Sequence, residues 1–265
     1  MKIFDSHVHI FPDKLKDKVL PKLSLVCNSE YFSDGTLSDT QVKMKEQKVD
    51  SCLFLNIATN VHQENSVNNF AFELKEKGFE AFGSVHPDSP ERIEMLRKIK
   101  ERGLKGVKLH PDYQGFMVDE SKMEEIYSVC QKLDLITVFH TGFDPYSPTL
   151  EHCPPEKLGK IADAFPDLKI IAAHMGGMRR FEEAKKYLCG KKNVWFDTAF
   201  ASYFLNENEL YELIKLHGSD KILFATDFPW STPEKERNLI ENSKLSESEK
   251  EAIYYYNAAK LLSLE

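Results

Sequence analysis

The sequence has no C-x-x-C pair, no basic run interleaved with aromatics, and no apolar stretch near the roughly 20 residues that span a membrane. Its five cysteines (Cys27, Cys52, Cys130, Cys153 and Cys189) are odd in number and scattered. That speaks against a disulfide framework and for reduced thiols in the cytoplasm. The N-terminus passes straight into a strand pattern, without the charged segment and apolar stretch of a secretory signal. Basic residues are in deficit: 35 Lys+Arg against 42 Asp+Glu give a formal charge of -7, which argues against a broad nucleic-acid surface. No glycine-rich phosphate fingerprint follows the first strand, which weakens a dinucleotide-binding reading. What remains is a 265-residue chain, 42% hydrophobic and 29% charged, long enough to bury a sizeable core.

Apolar strand-like runs alternate with helical periodicity along most of it. Strands are expected at 2–10, 50–57, 79–85, 104–110, 135–140, 168–174, 193–197 and 221–227. Helices are expected at 38–48 (capped by Ser38), 63–77, from Asp88-Ser89-Pro90-Glu91 to Gly103, and at 119–133, 156–165, 176–188 and 207–217. Two or three more fill the C-terminus. Stretches 11–35 and 141–155 read as long loops, the first with a short helix at 13–20. Eight parallel-type strands alternating with helices, without a linker, predict one α/β domain over residues 1–265. The expected architecture is a distorted (β/α)8 TIM barrel with long loops after strands one and five and extra C-terminal helices. An open doubly wound sheet is its rival.

In the first strand, Asp5, His7 and His9 share one parity, so the two imidazoles project from one face and could grip one ion. In a barrel, active sites form where strands end and βα loops begin. The polar residues at those ends are His7 and His9, then His86, Lys108 and His110, His140, His174, Asp197 and Asp227. Most of the nine histidines fall there, which is hard to explain without a metal. Tyr113, Phe143 and Trp230 would supply aromatic walls, and Arg179 or Arg180 could hold a carboxylate bidentately. Cys153 lies in a loop beside His152 and could approach the site. His62, His152 and His217 fit no ligand position and read as surface residues.

Five motifs then carry a resemblance: Asp5-Ser6-His7-Val8-His9, Gly106-Val107-Lys108-Leu109-His110-Pro111, Phe139-His140-Thr141-Gly142, Ala173-His174-Met175-Gly176-Gly177 and Ala225-Thr226-Asp227-Phe228-Pro229-Trp230. In this order, over nearly the whole chain, they resemble the amidohydrolase superfamily. The matching branch holds both amidohydrolase-2-type hydrolases and the aminocarboxymuconate-semialdehyde decarboxylase group. The resemblance implies one divalent ion on His7, His9, His140 and Asp227, with zinc expected and Mn2+ or Fe2+ as alternatives. A second ion involving His174 is less favoured, because the Lys-Leu-His-Pro string resembles the one-metal branch. Asp227 would also accept a proton as water attacks, and His174 would act as a base or oxyanion donor. Lys108, His110, His86, Tyr113, Arg180, Asp197 and Trp230 would contact the substrate or support the ligands.

The activity expected is metal-dependent hydrolysis of a small ester, lactone or amide. The alternative is a metal-dependent, non-oxidative decarboxylase of an aromatic or unsaturated acid, which would need a cation such as Lys108, Arg179 or Arg180 near the ion. A non-catalytic barrel is disfavoured, since every implied ligand position is filled. The implied partners are a small-molecule substrate and a second copy of the chain in a homodimer, with no nucleic acid and no membrane.

Overall fold

The computed structural model describes residues 1–264. Strand β1 (Phe4–Val8) leads into helices α1 (Lys16–Cys27) and α2 (Leu37–Glu46), then β2 (Ser51–Leu55), α3 (Glu64–Glu76), β3 (Glu80–Phe82) and α4 (Arg92–Glu101). The alternation continues with β4 (Gly106–Leu109), α5 (Pro111–Gln114), α6 (Glu124–Lys132), β5 (Ile136–Phe139), α7 (Pro155–Ala164), β6 (Ile170–Ala172) and α8 (Phe181–Tyr187). It ends with β7 (Val194–Asp197), α9 (Glu207–His217), β8 (Ile222–Leu223), α10 (Pro233–Glu241), α11 (Glu247–Glu251) and α12 (Asn257–Leu262). Neighbouring strands pair in parallel, in the orders β1-β2-β3 and β4-β5-β6-β7-β8. Parallel bridges at Gly83–Val107 and Val8–Phe228 join the two sheets into a closed (β/α)8 barrel.

Both seams have a local cause. At the first, the Gly83 N–H donates to the Gly106 carbonyl at 3.1 Å, and the Lys108 N–H to the Gly83 carbonyl at 2.8 Å. A Cβ on Gly83 would collide with Asn68 and Ile99, and one on Gly106 with the Ile136 carbonyl and Phe82, so the backbones approach only because side chains are missing. At the second, Ser6 donates to the Phe224 carbonyl (2.9 Å), Asp227 to that of His7 (2.9 Å) and His9 to that of Phe228 (2.7 Å). Buried Asp5 locks this seam, accepting from the Thr226 hydroxyl at 2.6 Å and from the Thr226 and His7 amides at 3.1 Å each. Between Asp5 and Val8 the register with β2 slips by one residue. This bulge interrupts the simple alternation expected for Asp5, His7 and His9 and frees Asp5 to turn to Thr226.

The barrel floor is apolar. Phe4, Leu53, Leu55, Phe82, Ile136, Val138, Ile171 and Leu223 pack there with Ala258 and Leu262 of α12, so the C-terminal helix plugs the end opposite the polar strand ends. A larger cluster lies between the strands and the helical ring. Among the described residues no helix is long and apolar enough to cross a membrane.

Several boundaries differ from expectation. Helix α1 runs to Cys27 rather than stopping near Leu20, with Pro21 inside it and Asn28 closing it in the left-handed region. The cap of α2 is Thr36, which accepts from the Asp39 amide, and not Ser38. The helix expected at 176–188 starts only at Phe181, because His174, Met175, Gly176 and Arg179 all have positive φ and coil the chain into tight turns. An unexpected short helix, α5, is capped by the His110 side chain.

His217 is not a surface residue. Its ring stacks on Phe196 at 3.8 Å, its Nε2–H donates to the Val194 carbonyl at 3.1 Å, and its Nδ1 accepts from the Gly190 amide at 3.3 Å. These bonds fix the neutral form, and burial lowers its pKa from 6.5 to about 4. The unfolded chain therefore binds this proton between pH 6.5 and 4 while the folded chain does not. The stabilisation is complete above pH 6.5 and is lost as pH falls towards 4. Urea unfolding at pH 7 and pH 4.5 should show a fall of which His217 accounts for about 2–3 kcal/mol, and His217→Gln should flatten it; an unchanged pH slope in that variant would rule the assignment out.

Candidate active site

The ends of β1 and the β8 loop bring three side chains together. His7 Nδ1 donates to Asp197 Oδ2 at 2.8 Å, and His9 Nδ1 donates to the Leu55 carbonyl at 2.9 Å. Each ring therefore keeps a bare lone pair at Nε2. Those two Nε2 atoms lie 3.1 Å apart, and Asp227 Oδ1 sits 3.3 Å from the first and 3.2 Å from the second. Burial and the nearby Lys108 ammonium hold His7 well below its ordinary pKa, so it is neutral. Two ring nitrogens and a carboxylate oxygen converge on one point. A cation satisfies that arrangement, and two imidazoles with a carboxylate are a donor set suited to a divalent transition metal. Fully buried Lys108 stands beside it, its Nζ 3.5 Å from His7 Nε2. Burial lowers that lysine to about 8, against the pull of Asp197 and Asp227.

His140 packs one step away, against His174. His174 Nδ1 donates to the Ala199 carbonyl (3.0 Å), and its Nε2 meets His140 Nδ1 at 3.0 Å. The far nitrogen of His140, Nε2, faces the Phe143 carbonyl and Asp144 Oδ2, each at 3.3 Å. Oxygen atoms thus bound both ends of a two-imidazole chain, and full pairing takes one more proton than two neutral rings carry. Burial depresses both rings, His174 to about 4, and pushes Asp144 up to about 7. The Asp144 carboxyl is thus the group placed to supply the missing hydrogen. His110 completes a second His–His–Asp group with His140 and Asp144, its Nε2 3.5 Å from Asp144 Oδ2. Tyr113, His110 and His140 form one stack, with centroids 3.7 and 4.3 Å apart.

Above these groups opens a cavity of about 1000 Å3 whose walls include Lys108, Tyr113, Phe143 and Trp230. Asp197 lies beneath it, fully buried; besides His7 it accepts from the His174 amide at 2.8 Å, so one carboxylate positions both histidines. Two expected contributors are placed elsewhere. Arg180 turns away to Glu151, Glu156 and Glu183, which occupy its guanidinium, while Arg179 lines the cavity over Phe143 (4.5 Å) and Phe204 (5.0 Å). His86 is drawn into the loop after β3: its amide donates to Glu64 at 2.7 Å and its Nδ1 accepts from the Asp88 amide at 3.2 Å. His152 is part-buried and bonded to Asp112 at 2.9 Å rather than free on the surface, and Cys153 is buried away from the cavity. Sequence reasoning missed Asp144, whose only mark is its position four residues after His140. It also placed only the first part of α1, as a short helix ending at Leu20, and missed that the helix continues to Cys27 along the cavity.

A family model described as Amidohydrolase matches residues 4–264. The chain is 28% identical over 208 residues to 2-amino-3-carboxymuconate-6-semialdehyde decarboxylase of Dictyostelium discoideum, a match covering 65% of this chain and 57% of that protein. It is 30% identical over 124 residues to gamma-resorcylate decarboxylase of Polaromonas sp. (strain JS666), covering 39% of this chain and 37% of that one. The chain thus spans under two thirds of the length of either curated relative. Among solved structures, 5-carboxyvanillate decarboxylase of Novosphingobium aromaticivorans, with bound manganese and 3-methoxy-4-hydroxy-5-nitrobenzoic acid, superposes with a TM-score of 0.72. At 15% identity over 99% of this chain and 97% of that one, it shares the fold. The expectation of hydrolysis is corrected by these relatives, each of which is named for decarboxylation.

Because Asp197 sets the tautomer of His7, Asp197→Ala should weaken divalent-metal affinity about 10- to 100-fold in a chelator-competition titration, while Asp197→Asn should lose less. Unchanged affinity in the alanine variant would contradict the assignment.

Proposed function

The chain belongs to the amidohydrolase family, and from that premise we propose that it is a metal-dependent, non-oxidative carboxy-lyase of an aromatic or unsaturated carboxylic acid. The observation that carries the reading is the bare triad of His7 Nε2, His9 Nε2 and Asp227 Oδ1 with a buried ammonium beside it. His7, His9 and Asp227 would hold the ion; His140, expected as a fourth ligand, instead turns its nitrogens to His174 and Asp144 and stands beside the triad. Manganese is favoured over zinc, since the 5-carboxyvanillate decarboxylase of like fold is described with manganese. The ion would supply Lewis-acid polarisation of the substrate's oxygen atoms.

The rest falls to this chain's own residues. Lys108 Nζ, close to the triad and buried, is the cation that a carboxylate substrate requires and an ester or lactone does not. In non-oxidative decarboxylation the carbon–carbon bond breaks, its electron pair stays on the substrate carbon, and a proton replaces the departing CO2. Asp227 Oδ1 is engaged by both histidines, whereas Oδ2 has no such contact among the described residues. Oδ2 is therefore the oxygen that would hold that proton and deliver it. His174, with Nδ1 on the Ala199 carbonyl and Nε2 on His140, would hold the His140 ring in place at the cavity wall. The aromatic stack of Tyr113 and His110 offers a flat surface for an unsaturated acid. Free cysteines suit a reducing cytoplasm.

CO2 release from a panel of hydroxybenzoates and unsaturated dicarboxylic acids tests this. Turnover should vanish on chelation and return with manganese, and Asp227→Asn should lower it by about 1000-fold or more with an unchanged circular dichroism spectrum. Full activity in that variant, or turnover of esters and lactones but of no acid, would overturn the reading.

A further inference from the structure

The cavity, at about 1000 Å3, lies at the top of the range of about 300–1,000 Å3 typical of small-molecule pockets. One of its walls is helix α1, and the packing of that helix is unusual. Only Leu20 of α1 is buried in the core. Leu15, Val19 and Leu23, spaced by four and continued by Val26, line the cavity instead. Val67 and Phe70 of α3 also line it, so the apolar stripe is the side of a concavity and not a flat docking face. One position before each of the first three stands a lysine: Lys14, Lys18 and Lys22 form a parallel basic stripe at the mouth. Lys16, off that stripe, pairs with Asp34 at 3.9 Å. Among the described residues no carboxylate lies within 4.0 Å of Lys14, Lys18 or Lys22. These ammonium groups share the cavity lining with Glu30 but form no ion pair among the described residues, and in a chain whose net charge is -7 any attraction for an anion is local to this stripe.

We propose that α1 recognises the distal half of an elongated substrate: an apolar body against Val19 and Leu23 that ends in a second anionic group at Lys18 and Lys22. Its reactive carboxylate would sit at the triad, and that end alone rests on the carboxy-lyase reading. The triad and the α1 wall line one cavity, so a substrate that reaches both would remove apolar surface from water at each.

Calorimetric titration of the manganese-supplemented protein with benzoate, biphenyl-4-carboxylate and biphenyl-4,4′-dicarboxylate tests the proposal. The second ring should improve affinity about tenfold, and the second carboxylate about fivefold more at low salt, a gain that shrinks at high salt. Lys18→Ala with Lys22→Ala should bring the dicarboxylate-to-monocarboxylate ratio close to one. Leu23→Asn should reduce the biphenyl-to-benzoate ratio. Equal affinities for the three acids, or ratios indifferent to these substitutions, would overturn it. Binding is read separately from CO2 release. A protein that showed both ratios yet decarboxylated no acid would retain the α1 subsite and lose the carboxy-lyase reading; the converse result would do the opposite.

Discussion

The seam between β1 and the β8 loop is the constraint on which the site depends. Nothing local joins His7 and His9 to Asp227, which stand at opposite ends of the sequence. They meet because the eighth strand returns to the first, through the Ser6–Phe224, His7–Asp227 and His9–Phe228 backbone bonds and the buried Asp5–Thr226 contact. Closure therefore does two things with the same atoms. It removes the open sheet edge, and it forces three electron-rich atoms to within 3.3 Å of one another. A cation held among these atoms would offset the cost of that proximity, so ion binding would stabilise the fold.

Support for the triad is layered beneath it. Asp197 holds His7 through Nδ1 and His174 through its amide, so the end of β7 sets the geometry of β1 and β6 together. The Leu55 carbonyl does the same for His9 from the end of β2. On the other side of the mouth, His140 and His174 form a relay bounded by the Ala199 carbonyl and Asp144. The charge pattern is uneven: an acidic protein with basic residues at one cavity. The ligands alone do not separate hydrolysis from decarboxylation, because both chemistries use a metal and an aspartate. Lys108, buried next to the triad, favours the acid as substrate.

The barrel and the ring of polar strand ends were legible in the sequence, because strand and helix periods leave direct marks and each candidate ligand ends an apolar run. His7 and His9 were visible as a pair two residues apart. What was hidden depends on distance in space or on backbone conformation. Arg179 and Arg180 are adjacent and chemically identical, yet only the first lines the cavity; the left-handed turn at Arg179 separates their directions, and no side-chain pattern announces it. Asp144 resembles any loop aspartate until the stacked rings of His110 and His140 meet it. His217 reads as a polar helix end until Phe196 covers it. The apolar stripe of α1 was present in the spacing of Leu15, Val19 and Leu23, but a proline inside the helix masked it.

Anomalous diffraction from crystals grown with manganese tests the central claim most directly. The account requires a strong peak within bonding distance, about 2.0–2.4 Å, of His7 Nε2, His9 Nε2 and an Asp227 oxygen. A well-ordered map with no ion at those three atoms, or with the ion bound elsewhere, would contradict it.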